Sequence, residues 1–125
     1  MNIKKTLLKL RLHIMWIYIA IVIILLTAPL PLEEGYGTGK TASVSHFLMF
    51  FLLGIVVEFA YLFSFDIKRV AELIVFAIIM ETIQLALPYR VFDFADMGMN
   101  VIGIIISYLI IVTTHGSLHK AHGQN

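Results

Sequence analysis

The sequence predicts an all-α fold, an integral membrane bundle of four transmembrane helices with both termini in the cytoplasm. Hydrophobic residues make up 60% of the 125 positions and charged residues only 14%, whereas a soluble domain carries about 45–50% apolar and about 25% charged residues. The apolar residues gather in four long segments. The basic residues are distributed unevenly between the connections that join those segments.

Each of the four apolar segments is close to the length of a membrane span. A helix needs about 20 apolar residues to cross a hydrocarbon core of roughly 30 Å, and the candidates are residues 14–30, 44–65, 70–87 and 97–113. Pro29 and Pro31 are expected to end the first helix, because proline lacks a backbone donor. Polar residues and glycines predict an exposed loop over residues 33–43. Short connections at residues 66–69 and 88–96 separate the other helices.

The basic residues predict which side of the membrane each connection faces. In a four-pass topology seven of the nine Lys and Arg residues share one side, namely Lys4, Lys5, Lys9, Arg11, Lys68, Arg69 and Lys120, and only Lys40 and Arg90 lie on the other. Basic residues are retained in the cytosol. We therefore predict a multi-pass cell-membrane protein with a cytoplasmic segment over residues 1–13, a four-helix transmembrane domain over residues 14–114 and a cytoplasmic polar tail over residues 115–125.

A cleaved signal peptide is the main alternative for the first segment. A basic start followed by an apolar stretch is typical of such a peptide. However, no A-x-A-like cleavage site follows, and the apolar run is longer than the usual core of a signal peptide. We therefore predict an uncleaved first helix.

Composition and spacing exclude thiol chemistry and disfavour several other functions. The chain has no cysteine, which removes disulfides, thiolate metal sites and thiol catalysis, and a formal charge of +1 does not indicate nucleic-acid binding. Residues 39–41 read Gly-Lys-Thr like the end of a phosphate-binding loop, but Glu34 stands where that motif needs its first glycine. A small multidrug-type transporter would carry an acidic residue in its first helix, and this first helix has none.

Three histidines near the end of the chain have a spacing that would suit a metal ion. His115, His119 and His122 are separated by four and three residues, so they would share one face of a helix and could hold zinc. They lie in a short polar tail, however, and we favour a solvated tail. We predict neither a metal nor any other cofactor.

Polar side chains gather at the predicted outer ends of the helices. Such residues are costly in a membrane and usually face the interior of a bundle. Glu81 and Gln84 share a helix face at i and i+3, and a stripe at helical spacing runs from Asp96 through Asn100 to Ser107. We predict one outward-facing ligand-binding pocket formed by His46, Glu81, Gln84, Arg90, Asp93, Asp96 and Asn100, with Gly54 and Gly103 in helix packing. Alternatively, these groups only bond loops or join helices.

Glu58 is a separate acidic residue, placed by the predicted boundaries in the middle of the second helix. Burial there would favour the protonated form of its carboxyl group, and Tyr61 on the same helix face is its expected hydrogen-bond partner. A proton site, a neutral structural residue and a misplaced helix boundary all remain open for this position.

The polar pattern resembles the VanZ-like family of small membrane proteins, whose prototype is associated with resistance to the glycopeptide teicoplanin. The resemblance covers about residues 40–107 and rests on His46-Phe47 with Gly54, Glu81-Thr82-Ile83-Gln84, Pro88-Tyr89-Arg90, Asp93, Asp96, Asn100 and Gly103. The family pattern has an Asp-Lys pair shortly before the histidine, whereas residues 42–45 read Ala-Ser-Val-Ser here. The resemblance implies a membrane fold and a role in the cell envelope.

Two functions follow as expectations. The first is recognition of an envelope ligand, such as a lipid-linked cell-wall intermediate or a glycopeptide, in which Arg90 would contact a phosphate or carboxylate. The expected partners are membrane lipids and that ligand, without nucleic acid. The second is an enzyme acting on an envelope lipid head group, in which His46 with Glu81 or Asp96 would supply acid–base catalysis. No nucleophile motif accompanies this histidine and its carboxylate partners, so we favour binding over catalysis.

Overall fold

The computed structural model describes residues 2–29 and 40–122. Four helices make up this part of the chain, and it contains no strand: α1 spans Ile3–Thr27, α2 Lys40–Ala60, α3 Ile67–Ala86 and α4 Phe94–His122. The all-α prediction is thus confirmed for the described residues. Residues 33–39 of the predicted exposed loop lie outside them.

The first helix begins well before its predicted start. α1 includes the basic residues Lys4, Lys5 and Lys9, which the prediction placed in a separate segment over residues 1–13. No Gly or Pro interrupts residues 3–27, and Lys, Leu and Arg are good helix formers, so the helix continues past the apolar stretch. It ends at Thr27, two residues before Pro29, as expected for the restricted residue that precedes a proline.

The other predicted boundaries also need correction. α2 includes residues 40–43, which were predicted as loop, and it ends at Ala60 rather than at residue 65. Its end has the hydrogen bonds of a Schellman motif, from Leu62 N to Phe59 O (3.2 Å) and from Phe63 N to Glu58 O (2.7 Å). Leu62 has a φ of 60°, a left-handed position that glycine usually occupies.

The turn before α3 and the end of α4 differ from the prediction as well. Asp66 caps α3 by accepting from the Lys68 backbone N–H at 2.9 Å, so Lys68 and Arg69 lie in the first helical turn rather than in a connecting turn. α4 remains helical to His122, where the sequence predicted a loose polar tail. A charged or polar residue does not by itself stop a helix, and the glycine of this segment, Gly116, lowers helix stability without ending the helix.

Side-chain contacts show that the helices alternate in direction. Gln84 of α3 donates to the Leu26 carbonyl of α1 at 2.9 Å, so the C-terminal ends of α1 and α3 meet. His46 of α2 contacts Asn100 of α4, so the N-terminal ends of α2 and α4 meet. We refer to the end with Leu26, His46, Gln84 and Asn100 as the His46 end, and to the end with Arg11, Glu58, Arg69 and Tyr108 as the Arg69 end.

α2 and α4 pack very closely because glycines lie between them. A Cβ atom at Gly103 would be 2.6 Å from the Phe47 carbonyl oxygen and 2.9 Å from the Phe51 backbone nitrogen. A Cβ atom at Gly54 would overlap the Ser107 side chain. Small residues allow such close backbone approach between membrane helices.

An apolar layer separates the two polar ends of the bundle. Phe50 and Leu53 of α2 and Ile104 of α4 have no exposed surface, and they lie between the His46 level and the Glu58 level along their helices. Ser107 is also buried, but its hydroxyl donates to the Ile104 carbonyl of its own helix at 2.7 Å. The polar groups of the two ends are therefore not joined through this layer by the described side chains.

The helix surfaces indicate a multi-pass membrane protein. Within residues 2–29 and 40–122, three helical segments are long and apolar enough to cross a membrane: Ile3–Thr27, Ala42–Ala60 and Phe94–His115. Large aliphatic side chains remain on the outside of the bundle, among them Ile17 at 60% and Leu109 at 59% exposure. Such an extended apolar surface is stable in lipid, whereas monomeric soluble proteins rarely expose one.

Candidate functional site

The centre of the candidate site is a chain of hydrogen bonds that joins three helices. Asn100 Nδ2 of α4 donates to Glu81 Oε2 of α3 at 3.3 Å, and the amide oxygen of Asn100 lies 3.1 Å from His46 Nδ1 of α2. Because Nδ2 of the amide donates to Glu81, the amide oxygen faces the imidazole and accepts from Nδ1 in the tautomer that carries a proton there. Asn100 thus connects the imidazole to the acid.

Asp96 completes the cluster on the other side of the imidazole. Ser43 Oγ donates to Asp96 Oδ1 at 2.7 Å, and His46 Nε2 lies 3.9 Å from Asp96 Oδ2. His46 Nδ1 is also 3.9 Å from Glu81 Oε2. The imidazole therefore lies between two carboxyl groups, one near each of its ring nitrogens. We call Ser43, His46, Glu81, Asp96 and Asn100 the His46 cluster.

The His46 cluster is nearly closed rather than an open pocket. Glu81 and Asn100 have no exposed surface, whereas the side chains of His46 and Asp96 are each 12% exposed. A ligand would thus approach over His46 and Asp96. Glu81 Oε1 is buried and has no hydrogen-bond partner within the described residues. The cluster is richer in acceptors than in donors.

Gln84 and Arg90 lie at the same end but bind the backbone of α1. Gln84 Nε2 donates to the Leu26 carbonyl at 2.9 Å, and Arg90 Nη2 donates to the carbonyls of Leu25 at 2.6 Å and Ala28 at 3.0 Å. These two predicted site residues therefore satisfy carbonyl groups that the end of a helix leaves without partners.

Tyr89 contributes to the same cap, because its hydroxyl donates to the Thr27 carbonyl at 2.6 Å. Burial lowers the pKa of the Arg90 guanidinium, which nevertheless stays charged because an arginine cannot be deprotonated in a protein. The α3–α4 connection thus contributes two residues that fix the end of α1.

Asp93 has a local role in the structure. Its side chain accepts from the Ala95 backbone N–H at 2.8 Å, and its carbonyl accepts from Met97 N at 3.2 Å. These contacts are those of a residue at the start of a helix. The seven predicted site residues thus fall into three groups: four in the His46 cluster, two on the end of α1, and Asp93 at the start of α4.

Glu58 belongs to a second polar cluster at the Arg69 end. Arg69 Nε donates to Glu58 Oε1 at 2.7 Å, and the Tyr108 hydroxyl donates to the same oxygen at 2.6 Å. The prediction of Tyr61 as the partner was wrong, because α2 ends two residues after Glu58. Tyr61 instead packs its ring 4.7 Å from the Arg69 guanidinium carbon.

The sequence reasoning missed Ser43, Arg69 and Tyr108 as members of the polar clusters. Ser43 is one helical turn before His46, a spacing that would have indicated it had α2 been predicted to begin at Lys40. Arg69 and Tyr108 reach Glu58 from two other helices, and no spacing within one helix could have shown that.

The described residues include no group of three or more His, Cys, Asp or Glu side chains placed to hold a metal ion. His115 stacks on Phe63 with a ring-centroid distance of 4.9 Å, and the side chains of His119 and His122 lie outside the described residues.

No protein-family model matches the chain, and no curated protein or solved structure shows significant similarity to it.

Proposed function

We propose that α3 is a fourth membrane span and that both termini are cytoplasmic. The 20 residues of α3 extend about 30 Å, the thickness of the hydrocarbon core, and run from the Arg69 end to the His46 end. Its exposed charges, Lys68 and Glu72, lie in the first two turns, whereas Glu81 is fully buried.

The alternating helix directions and the basic residues at the Arg69 end support this topology. A reporter fused after Asn125 tests it: the fusion is expected to be active only in a cytosolic assay. Activity of an exported reporter at that position would contradict the topology.

The function that the geometry supports best is recognition of a polar envelope ligand by the His46 cluster. The observation that carries the proposal is a hydrogen-bonded set of ionisable side chains, drawn from three helices and buried next to lipid-facing surfaces. Ionisable groups at such positions are costly and commonly functional. The cluster offers carboxylate acceptors, so hydroxyl or ammonium groups of a head group are the complementary donors.

The VanZ-like pattern supplies the biological context of this proposal and rests on the sequence alone. In that context the ligand is a lipid-linked cell-wall intermediate or a glycopeptide, and the protein alters glycopeptide susceptibility. The site faces the outer side in the proposed topology, where such ligands occur.

An enzyme acting on an envelope lipid head group is the second candidate function. The observation in its favour is the imidazole of His46 between Glu81 and Asp96, with both nitrogens 3.9 Å from a carboxylate oxygen. Such an imidazole can accept and return a proton. Turnover of a lipid-linked substrate by the purified protein, lost in His46→Gln, would support catalysis; binding without turnover would support the recognition proposal.

Variants within and outside the cluster test the proposed function in cells. His46→Gln and Glu81→Gln retain size and polarity but change the charge and proton pattern of the cluster. Ser107→Ala is the matched control, since this hydroxyl is also fully buried but bonds only its own helix. The measurement is teicoplanin susceptibility at equal membrane abundance. We expect the wild type and the control to shift susceptibility and the two cluster variants to lose the shift.

Two results would contradict this proposal. If all variants shift susceptibility as the wild type does, the His46 cluster only joins the helices. If the wild type shifts nothing, the family resemblance does not extend to glycopeptide susceptibility, and the purified protein would then be examined by mass spectrometry for a co-purifying head group.

A further inference from the structure

The N-terminal part of α1 carries basic side chains without acidic partners. Lys4, Lys5 and Lys9 are exposed, and they form no salt bridge within the described residues. The first acidic residue of the chain is Glu33. This segment therefore has a local positive charge that the protein itself does not neutralise.

A hydrocarbon core that begins at Thr27 would place the basic side chains at the height of the lipid head groups. The Arg11 guanidinium carbon lies 5.0 Å from the centre of the Phe59 ring, which places Arg11 at the Arg69 end of the bundle. Counting back from Thr27, a core of roughly 30 Å ends about 20 residues earlier, near Leu7. Lys4 and Lys5 therefore extend into the head-group layer, and Lys9 lies at its edge.

An apolar groove continues from two of these lysines along one face of α1. Lys5 and Lys9 are four residues apart, and Leu12, Trp16 and Ala20 follow at steps of three, four and four, which is the spacing of one helix face. The groove is formed by Leu12, His13, Trp16, Ile17 and Ala20, and the Trp16 side chain is 62% exposed. One surface thus presents two cations above an apolar strip.

We propose that this surface is a binding site for an anionic phospholipid. The phosphate and any further acidic group of the head lie against Lys5 and Lys9, with Lys4 beside them, and an acyl chain lies along the groove past Trp16. Each Lys near an anionic membrane surface favours binding by about fivefold, and Lys side chains place their charge at the interface while their stems contact lipid. A zwitterionic lipid lacks the net charge that these cations attract.

The single tryptophan of the chain gives a direct measurement of this site. The full-length protein is reconstituted into phosphatidylcholine bilayers with phosphatidylglycerol, and either lipid carries bromine on its acyl chains to quench Trp16 fluorescence. The ratio of quenching by the two brominated lipids reports which lipid occupies the groove. We expect a preference of about threefold or more for the anionic lipid, and a decrease toward one in high salt because charge attraction is screened.

Substitution of the lysines identifies the cause of the preference. In Lys4→Gln/Lys5→Gln/Lys9→Gln the ratio is expected to fall to about one, while Lys68→Gln, another exposed cation at the Arg69 end, keeps the wild-type ratio. All four positions are exposed, so the bundle should stay intact, and an unchanged circular dichroism spectrum verifies this. A wild-type ratio of one, or a triple variant that retains the preference, would overturn the proposal.

Discussion

Gly103 of α4 is the position where one added methyl group should most disturb the bundle. In Gly103→Ala the new Cβ would lie 2.6 Å from the Phe47 carbonyl oxygen, whereas ordinary contacts begin at about 3.4 Å. Both nearby atoms belong to the α2 backbone, which has no rotamer to adopt, so α2 must move away by roughly 0.8 Å. Overpacking of this kind costs about 1–3 kcal/mol, against a gain of about 0.5–1 kcal/mol from replacing a helical glycine.

Gly98 provides a matched control on the same helix. A Cβ atom there meets nothing within 4 Å, so Gly98→Ala should keep only the gain of about 0.5–1 kcal/mol in helix stability. Gly54→Ala should lie between the two, because the Ser107 hydroxyl that it overlaps can rotate away, whereas the Ser107 Cβ atom at 3.0 Å cannot.

The assay for this series is reversible unfolding in mixed detergent micelles, followed by circular dichroism. We expect Gly103→Ala to be less stable than the wild type by roughly 1–2 kcal/mol and Gly98→Ala to be slightly more stable. If the two variants change the free energy of unfolding equally, the close packing of α2 against α4 is incorrect.

Three further predictions use the same unfolding assay. Arg90→Ala should lower stability by about 2 kcal/mol because two carbonyls of α1 lose a charged donor; an unchanged stability would mean that Arg90 does not cap α1. Arg69→Gln should cost about 3–5 kcal/mol because it leaves the fully buried Glu58 carboxyl group without its cation. Glu58→Gln should cost less, because Arg69 is partly exposed and keeps Asp66 at 3.8 Å. The double variant should lose less than the sum of the two, and additive effects would contradict the ion pair. Leu62→Gly should stabilise the turn by about 1 kcal/mol because φ is 60° there, and destabilisation would contradict that backbone conformation.

The apolar segments could be predicted from the sequence because lipid imposes a minimum length on them. The ends of the helices could not be predicted in the same way. Hydropathy falls where charged residues begin, but the backbone stays helical until a helix-breaking residue interrupts it. Lys9 lies outside the predicted first span but inside α1 for this reason. At Asp66 the turn does have a local signal, a side chain that caps the following helix.

The buried face of each helix could be predicted better than the identity of the helices that pack against it. The stripe from Asp96 through Asn100 to Ser107 is buried along its length, as helical spacing predicted. Glu81 and Gln84 share a face at i and i+3, yet one side chain is bonded to Asn100 of α4 and the other to the backbone of α1. Which helix lies opposite each residue depends on packing between distant segments, which spacing within one segment does not encode.

The most direct test of the account is the accessibility of two cysteines that flank α3. The natural chain has no cysteine, so Ser64→Cys and Val91→Cys each create a single labelling site. Ser64 is exposed before α3, and Val91, which is 86% exposed, follows it. In intact cells we expect a membrane-impermeant maleimide to label the cysteine at position 91, and the one at position 64 only after permeabilisation. Labelling of both from the same side would mean that α3 does not cross the membrane, and labelling of position 64 alone would place the His46 cluster at the cytoplasmic face.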